Sequence, residues 1–393
     1  MAAIELIATA TFGLEAVVAH ELKQLGFTDL KVENGGVTFT ADETDICRTN
    51  LWLRSADRVL VKLGSFEALS FEELFEKTKA LPWTDWIPPN ANFPVQGKSI
   101  KSKLFSVPDC QAIVKKAIVE KMKQKYKRQW FEEDGPRYTI EVALLKDIAT
   151  LTLDTSGVGL HKRGYRKLSG AAPLKETLAS AMVGLAHWFP DRLLMDPFCG
   201  TGTIPIEAAL MGLNIAPGIN REFAAEEWHR VPGHLWRQAR EAAKAQQDHE
   251  SQLRIIATDI DAEAISMARY HAKMAGVDKH IHFQQLPLSR VQTKQKYGYI
   301  ICNPPYGERL SESKEVEKLY TEMGQVFGAL DTWSANIITS HKGFEQLYGR
   351  KADKRRKLYN GRLECQYYQY IGPRPPRRNR EQNQGQEETS TEE

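Results

Sequence analysis

Three short segments place chemically capable residues at the ends of apolar runs. In MDPFCGTGTIPIEAA (195–209), a strand-like run leads into Asp196, a turn with Gly200 and Gly202, and then a helix. Glycines there let a ligand approach the backbone with no Cβ in the way, and ligands of open α/β sheets bind at the carboxyl ends of strands. The segment is not a P-loop, because no G-x-x-x-x-G-K-[ST] occurs, and Pro205 stands where the dinucleotide fingerprint would need a third glycine. In IIATDIDAEAISMARYHAKMAG (255–276), Asp259 closes a strand and is placed to accept hydrogen bonds from ribose hydroxyls, whereas Asp261 reads as a helix N-cap. In YIICNPPYGER (299–309), Pro304 and Pro305 fix a rigid backbone without N–H donors. The Asn303 amide oxygen and the Pro304 carbonyl can together hold the two N–H groups of an exocyclic amine, and Tyr306 offers a face for stacking a base. Such an amine is a poor nucleophile, because its lone pair is delocalised into the ring. Holding it by its protons, in line with an electrophilic methyl group, supplies the missing orientation.

Other reactive residues carry less. Cys302 directly precedes the Asn-Pro-Pro-Tyr run on a buried strand and reads as core, not as the nucleophile of carbon-5 pyrimidine chemistry. His161 and His341 flank basic clusters without metal-ligand spacing, so no metal is expected. The five cysteines (Cys47, Cys110, Cys199, Cys302, Cys365) form no C-x-x-C pair, which argues against zinc ribbons and disulfide scaffolds and for a reducing, cytoplasmic setting. No run of 18 apolar residues predicts a membrane span, and the N-terminus lacks the form of a secretory signal.

The 393 residues carry 53 Lys and Arg against 50 Asp and Glu, a net charge of +3. That near-neutral total conceals a pattern. Residues 97–130 hold ten basic and two acidic residues, HKRGYRK (161–167) adds four basic ones, and 342–357 hold seven basic and two acidic ones. The three segments sum to +17, leaving −14 elsewhere. Clustered positive charge is the footprint of phosphate-backbone binding. From Asp109 onward Cys110, Ile113, Val114, Ala117, Ile118, Met122 and Tyr126 recur at helical spacing, with lysines on the other face. Lys115, Lys116, Lys123, Lys127 and Arg128, with Lys162, Arg163 and Arg166, are the expected nucleic-acid contacts.

The elements that must position these groups fall into zones. Residues 1–65 read as a small α+β unit: a strand at IELIATA, a helix stopped by Gly26, a hairpin about Asn34-Gly35-Gly36, a second helix and a strand from Arg58. Residues 66–160 hold the basic helix followed by two strands, with no catalytic constellation. From 161 to 372, strands alternate with helices as in a parallel α/β sheet. A long insertion at 213–253 interrupts it, and an Asn360-Gly361 hairpin closes it. The tail 373–393 has almost nothing to bury and is expected to be disordered.

DPFCGTGT, ATDID and NPPY, in that order, resemble the class I S-adenosylmethionine-dependent methyltransferases, and NPPY resembles the version in enzymes acting on exocyclic or amide nitrogens. With the N-terminal unit, the basic module, HKRGYRK and APLKE, the chain resembles THUMP-domain RNA guanine-N2 methyltransferases of the bacterial large-subunit ribosomal type. The resemblance covers nearly all of the chain except the tail. It implies a ferredoxin-like domain at 1–65, a THUMP RNA-binding domain at 66–160 and a Rossmann-like catalytic domain at 161–372, whose seven-stranded, mostly parallel sheet ends in an antiparallel hairpin. It also implies S-adenosylmethionine as cofactor, with Asp196, Phe198, Gly200, Thr201 and Gly202 around its methionine part and Asp259 on its ribose. Asn303, Pro304, Pro305 and Tyr306 would then hold the target amine and base. The acid that the family often carries near the adenine amine is replaced here by FQQLPLSRV, where Gln284 or Gln285 could substitute or a backbone contact could suffice. Transfer RNA remains an alternative substrate, and DNA adenine-N6 and protein glutamine-N5 enzymes share NPPY. The basic module favours RNA. Some relatives carry a second, fused methyltransferase domain; this chain shows one.

Overall fold

The computed structural model describes residues 3–168, 174–307 and 310–376. The expected disordered tail lies, from residue 377 onward, outside them. The chain forms two seven-stranded sheets.

The first sheet begins with β1 (Ile4–Thr9), α1 (Glu15–Gln24), β2 (Leu30–Glu33), β3 (Gly36–Ala41), α2 (Glu43–Trp52) and β4 (Arg58–Glu67). Gly26 follows α1 in the left-handed region at φ +92, as a helix C-terminus favours. Asn34-Gly35 makes the β2–β3 turn, and a reciprocal Asp42–Asp45 capping box starts α2. The sheet continues through α3 (Phe71–Ala80), β5 (Val95–Ile100), α4 (Val107–Tyr126), β6 (Ile140–Leu145) and β7 (Ile148–Asp154). Because β4 pairs with both β1 and β7, the order β2-β3-β1-β4-β7-β6-β5 runs unbroken past residue 65. The basic helix α4 buries Cys110, Val114, Ala117, Ile118 and Met122, the face its periodicity predicts.

The second sheet comprises α5 (Glu176–Leu185), β8 (Leu194–Asp196), α6 (Thr203–Gly212), α7 (Gly233–Ala245), β9 (Ile255–Asp259), α8 (Ala262–Ala275) and β10 (Ile281–Gln285). It is completed by β11 (Tyr299–Cys302), α9 (Leu310–Gly328), β12 (Ser334–Thr339), α10 (Phe344–Tyr348), β13 (Lys354–Asn360) and β14 (Leu363–Tyr370). Its order is β10-β9-β8-β11-β12-β14-β13, with β14 alone running opposite to the other strands. Asn360 pairs with Leu363, so the closing turn is Gly361-Arg362, one residue later than its Asn-Gly signal suggests.

The 213–253 insertion joins the two halves. Trp228 is buried and stacks on Tyr138 at 4.5 Å, while its indole N–H donates to the Arg137 carbonyl at 2.9 Å. Arg230 pairs with Glu43 at 3.0 Å, and the Gly218 N–H donates to the Leu51 carbonyl at 3.0 Å. One hydrophobic core accordingly runs from Ile4 to Tyr367 through both sheets, and a second lies on the other side of the second sheet around Ile300, Tyr320 and Phe344.

Candidate active site

The three motifs meet because β9, β8 and β11 are adjacent parallel strands, so their carboxyl ends form one edge. At the end of β8, Asp196 is 1% exposed. Its Oδ1 accepts the Phe198 N–H at 3.1 Å, while its buried Oδ2 has no hydrogen-bond partner. Burial drives this carboxyl well above the usual carboxylate range, and the nearby Asp259 charge adds to the rise. A buried carboxylate oxygen without a donor is costly. A cationic, N–H-bearing group placed beside it would relieve that cost.

The glycine turn stands next to it. Gly200 has φ +50 with open space where a Cβ would project. Gly202 has φ +87 and begins α6; a Cβ there would come within 3.0 Å of the Ala268 Cβ on α8. Half-buried Thr201 offers its carbonyl to the buried His271 ring at 3.1 Å. The Gly200 N–H donates to Asp259 Oδ2 at 2.9 Å, and the Asp261 N–H to Asp259 Oδ1 at 3.0 Å. Each Asp259 oxygen keeps a second acceptor site. Asp261 caps α8 through the Glu263 N–H at 2.8 Å.

Ile260, the next residue, is 71% exposed and presents an apolar side chain beside that carboxylate. Its only signal in the sequence is an aliphatic residue in a loop between two aspartates. Gln285 donates its amide to the Ile260 carbonyl at 3.0 Å and is thereby tied to the same edge, while Gln284 is exposed.

At the end of β11, the Tyr306 phenol donates to Asn303 Oδ1 at 2.5 Å. Burial pushes this phenol far above its ordinary range. The sequence suggests a ring open for stacking; in the structure Tyr306 is half-buried and its hydroxyl occupies the amide oxygen that a substrate amine would need. Pro304 is buried and Pro305 exposed. The turn has a support that the sequence did not reveal: buried Tyr320 on α9 donates to the Pro305 carbonyl at 2.7 Å and shares a 2.8 Å hydrogen bond with Thr339 at the end of β12. Cys302 is fully buried, and burial raises its thiol well above the ordinary value, which leaves it inert.

The expected RNA contacts divide into three groups. Lys116, Lys127, Arg128 and Lys162 are exposed. Lys115 pairs with Glu133 at 2.6 Å and lies 3.9 Å from the centre of the Phe93 ring, and Lys123 pairs with Glu120 at 2.9 Å. Arg163 and Arg166 require correction. Arg163 is 4% exposed; it donates to the Leu160 carbonyl at 2.7 Å and to the Arg54 carbonyl, and pairs with Glu207 at 3.4 Å. Arg166 donates to Thr203 Oγ1 at 2.5 Å and pairs with Glu176 at 3.5 Å. Their guanidinium groups face inward and support the fold. His161, crowded by burial and by Lys175, Lys162, Arg163 and Arg221, is lowered to about 4 and is neutral near pH 7. Among the described residues no group of three or more His, Cys, Asp or Glu could hold a metal, and no helix is long and apolar enough to cross a membrane.

Residues 163–369 match the family described as "RMKL-like, methyltransferase domain", residues 5–60 the "RlmL ferredoxin-like domain" and residues 68–154 the "THUMP domain". A Bacillus subtilis protein named "Putative RNA methyltransferase YpsC" is 53% identical over 96% of this chain and 98% of its own length. The "Ribosomal RNA large subunit methyltransferase K/L" of Syntrophotalea carbinolica is 34% identical over 93% of this chain, which spans 53% of that protein. A solved structure described as "SMU.472, a putative methyltransferase complexed with SAH" is 46% identical, covers 96% of this chain and all of its own, and superposes with a TM-score of 0.91.

Proposed function

This chain belongs to the RMKL-like methyltransferase family, and from that premise we propose that it methylates the exocyclic N2 amine of a guanine in large-subunit ribosomal RNA. The coarser statement, an S-adenosylmethionine-dependent RNA methyltransferase, follows from the family, from the THUMP match and from a close structural relative holding SAH. The finer one rests on NPPY at the strand edge, on the basic module and on the K/L relatives. Because the chain spans about half of those relatives, their whole activity does not transfer to it.

The residues present fit the cofactor. The unpartnered Asp196 Oδ2 suits the ammonium of a methionine moiety, Gly200, Thr201 and Gly202 leave backbone accessible beside it, Phe198 borders it, Asp259 retains acceptor sites for ribose hydroxyls, and Ile260 offers an apolar surface for a planar base. S-adenosylmethionine supplies an electrophilic methyl on a positively charged sulfur. The protein's part is then orientation. Asn303 Oδ1 and the Pro304 carbonyl hold the amine by its protons, Tyr306 leaves Asn303 to stack on the base, and Tyr320 fixes the turn through Pro305. The base must leave its own stack to reach the edge. The observation that carries this reading is the meeting of Asp196, Asp259 and Asn303 at the ends of three adjacent strands.

The test is mass-spectrometric nucleoside mapping of ribosomal RNA, transfer RNA and DNA from a deletion strain. One N2-methylguanosine in large-subunit RNA should vanish and return with the wild-type gene. It should not return with Asn303→Ala, although that variant still binds S-adenosylhomocysteine. Loss of a transfer-RNA mark or of N6-methyladenine in DNA, with the ribosomal marks intact, would replace this substrate with one of the alternatives.

A further inference from the structure

Trp130 stands almost free of the protein. It is 81% exposed, which only Phe105 equals among the large apolar side chains described. An indole gains much by burial and is enriched where a partner supplies it, and this one is held in water on an ordered segment with three cations beside it. The segment is anchored on both sides. α4 ends at Tyr126, and Lys127 turns the chain in the left-handed region at φ +55 with its N–H on the Lys123 carbonyl at 3.0 Å. Phe131, immediately after Trp130, is buried and meets Tyr126 edge-on at 6.4 Å, and the Tyr126 phenol donates to the Ile87 carbonyl at 2.7 Å. Glu133 is held by Lys115 at 2.6 Å, and the Gly135 N–H donates to the Asn90 carbonyl at 2.7 Å. Trp130 is thus presented on a fixed stretch, and a ligand need order little backbone to use it.

Its neighbours set the chemistry. Lys125, Lys127 and Arg128 are exposed, and among the described residues none of them has an ion-pair partner. The acids beyond Trp130 are Glu132, Glu133 and Asp134, of which Glu133 is committed to Lys115. Lysine is depleted at protein–protein contacts. Three cations beside a lone aromatic face suit phosphates flanking a base.

We propose that Trp130 is a stacking platform for an unpaired nucleotide of the substrate RNA, with Lys125, Lys127 and Arg128 on the adjoining phosphates. This rests on the RNA reading above and adds to it a site and a strand class. A paired base hides both its faces, so the platform selects single-stranded RNA next to the structured target.

The probes are a labelled short oligoadenylate, the same strand paired with oligouridylate, and ribosomal RNA from the deletion strain. Trp130→Ala should weaken single-strand binding about tenfold, leave the duplex nearly unchanged and keep the salt slope. Trp130→Phe should retain most of the affinity. Charge reversal at Lys127 and Arg128 should instead lower the salt slope. Oligoadenylate affinity of Trp130→Ala equal to wild type overturns the platform while leaving the RNA reading intact. Equal weakening on strand and duplex overturns it too, because the indole would then support phosphate contacts only. A wild-type protein that binds none of the three probes brings down the RNA reading, and the platform with it.

Discussion

The proposed seat of the cofactor ammonium on Asp196 predicts that cofactor binding is coupled to pH. Burial and the neighbouring Asp259 charge hold its carboxyl above the ordinary range in the free protein. A protonated carboxyl offers no charge to an ammonium, whereas the ammonium, once bound, favours the ionised form. Affinity for S-adenosylhomocysteine should therefore rise as pH climbs through the raised value and then level off, with a proton released on binding. Calorimetry in buffers of different ionisation enthalpy reads that proton, and Asp196→Asn should abolish the release and weaken binding at neutral pH. Asp196, Asp259 and Asn303 were legible because each closes an apolar run, so sequence alone put them on a common edge. The inward turn of Tyr306 and the burial of Arg163 were not. Both depend on partners far along the chain: Asn360 and Cys365 beside Tyr306, Arg54 and Glu207 beside Arg163.

At the scale of elements, the start of α6 is where backbone conformation and packing coincide. Gly202 combines φ +87 with a Cβ position 3.0 Å from Ala268. Gly202→Ala should cost about 1–3 kcal/mol from the left-handed backbone alone, seen as a lower Tm, and should loosen cofactor binding because Gly200 and Thr201 precede the same helix. An unchanged Tm and affinity would mean that the turn before α6 re-forms without a left-handed residue there and that α8 gives way to the added methyl. β8 and β11 of the catalytic sheet were legible as short apolar runs. β5 was not. VQGKSI alternates polar exposed residues at the sheet edge and pairs with β6 across the whole of α4, a contact no local pattern encodes. α3 and α9 also passed unremarked, and α9 carries Tyr320, the support of the NPPY turn.

Across the whole molecule, Glu207 lies where the halves meet. Fully buried on α6, it accepts from Tyr165 at 3.0 Å and Ser180 at 2.5 Å and pairs with Arg163, which in turn holds the Arg54 carbonyl of the N-terminal unit. Removing one member of a buried pair strands the other's charge, at about 3–5 kcal/mol. Glu207→Ala should lower Tm strongly in a scanning calorimeter, and Glu207→Gln less, because its amide oxygen still accepts. Equal, small shifts would show that water reaches Arg163 and dissolves the penalty. Charge and strand pattern divide the chain into zones, yet the first sheet runs unbroken across residue 65, and the insertion at 213–253 looked like mere extra length. Its function in the fold appears only in the pairing of Trp228 with Tyr138 and of Arg230 with Glu43.

That bolted insertion has a consequence for how a target is chosen. With the basic helix and the strand edge fixed to one continuous core, the proposed function makes the chain a calliper whose jaws have a set opening. Under the proposed function an RNA would qualify by the spacing between the stretch that is gripped and the base that is offered, so the proposed guanine target, moved a few nucleotides along its stem, should fall outside the gap.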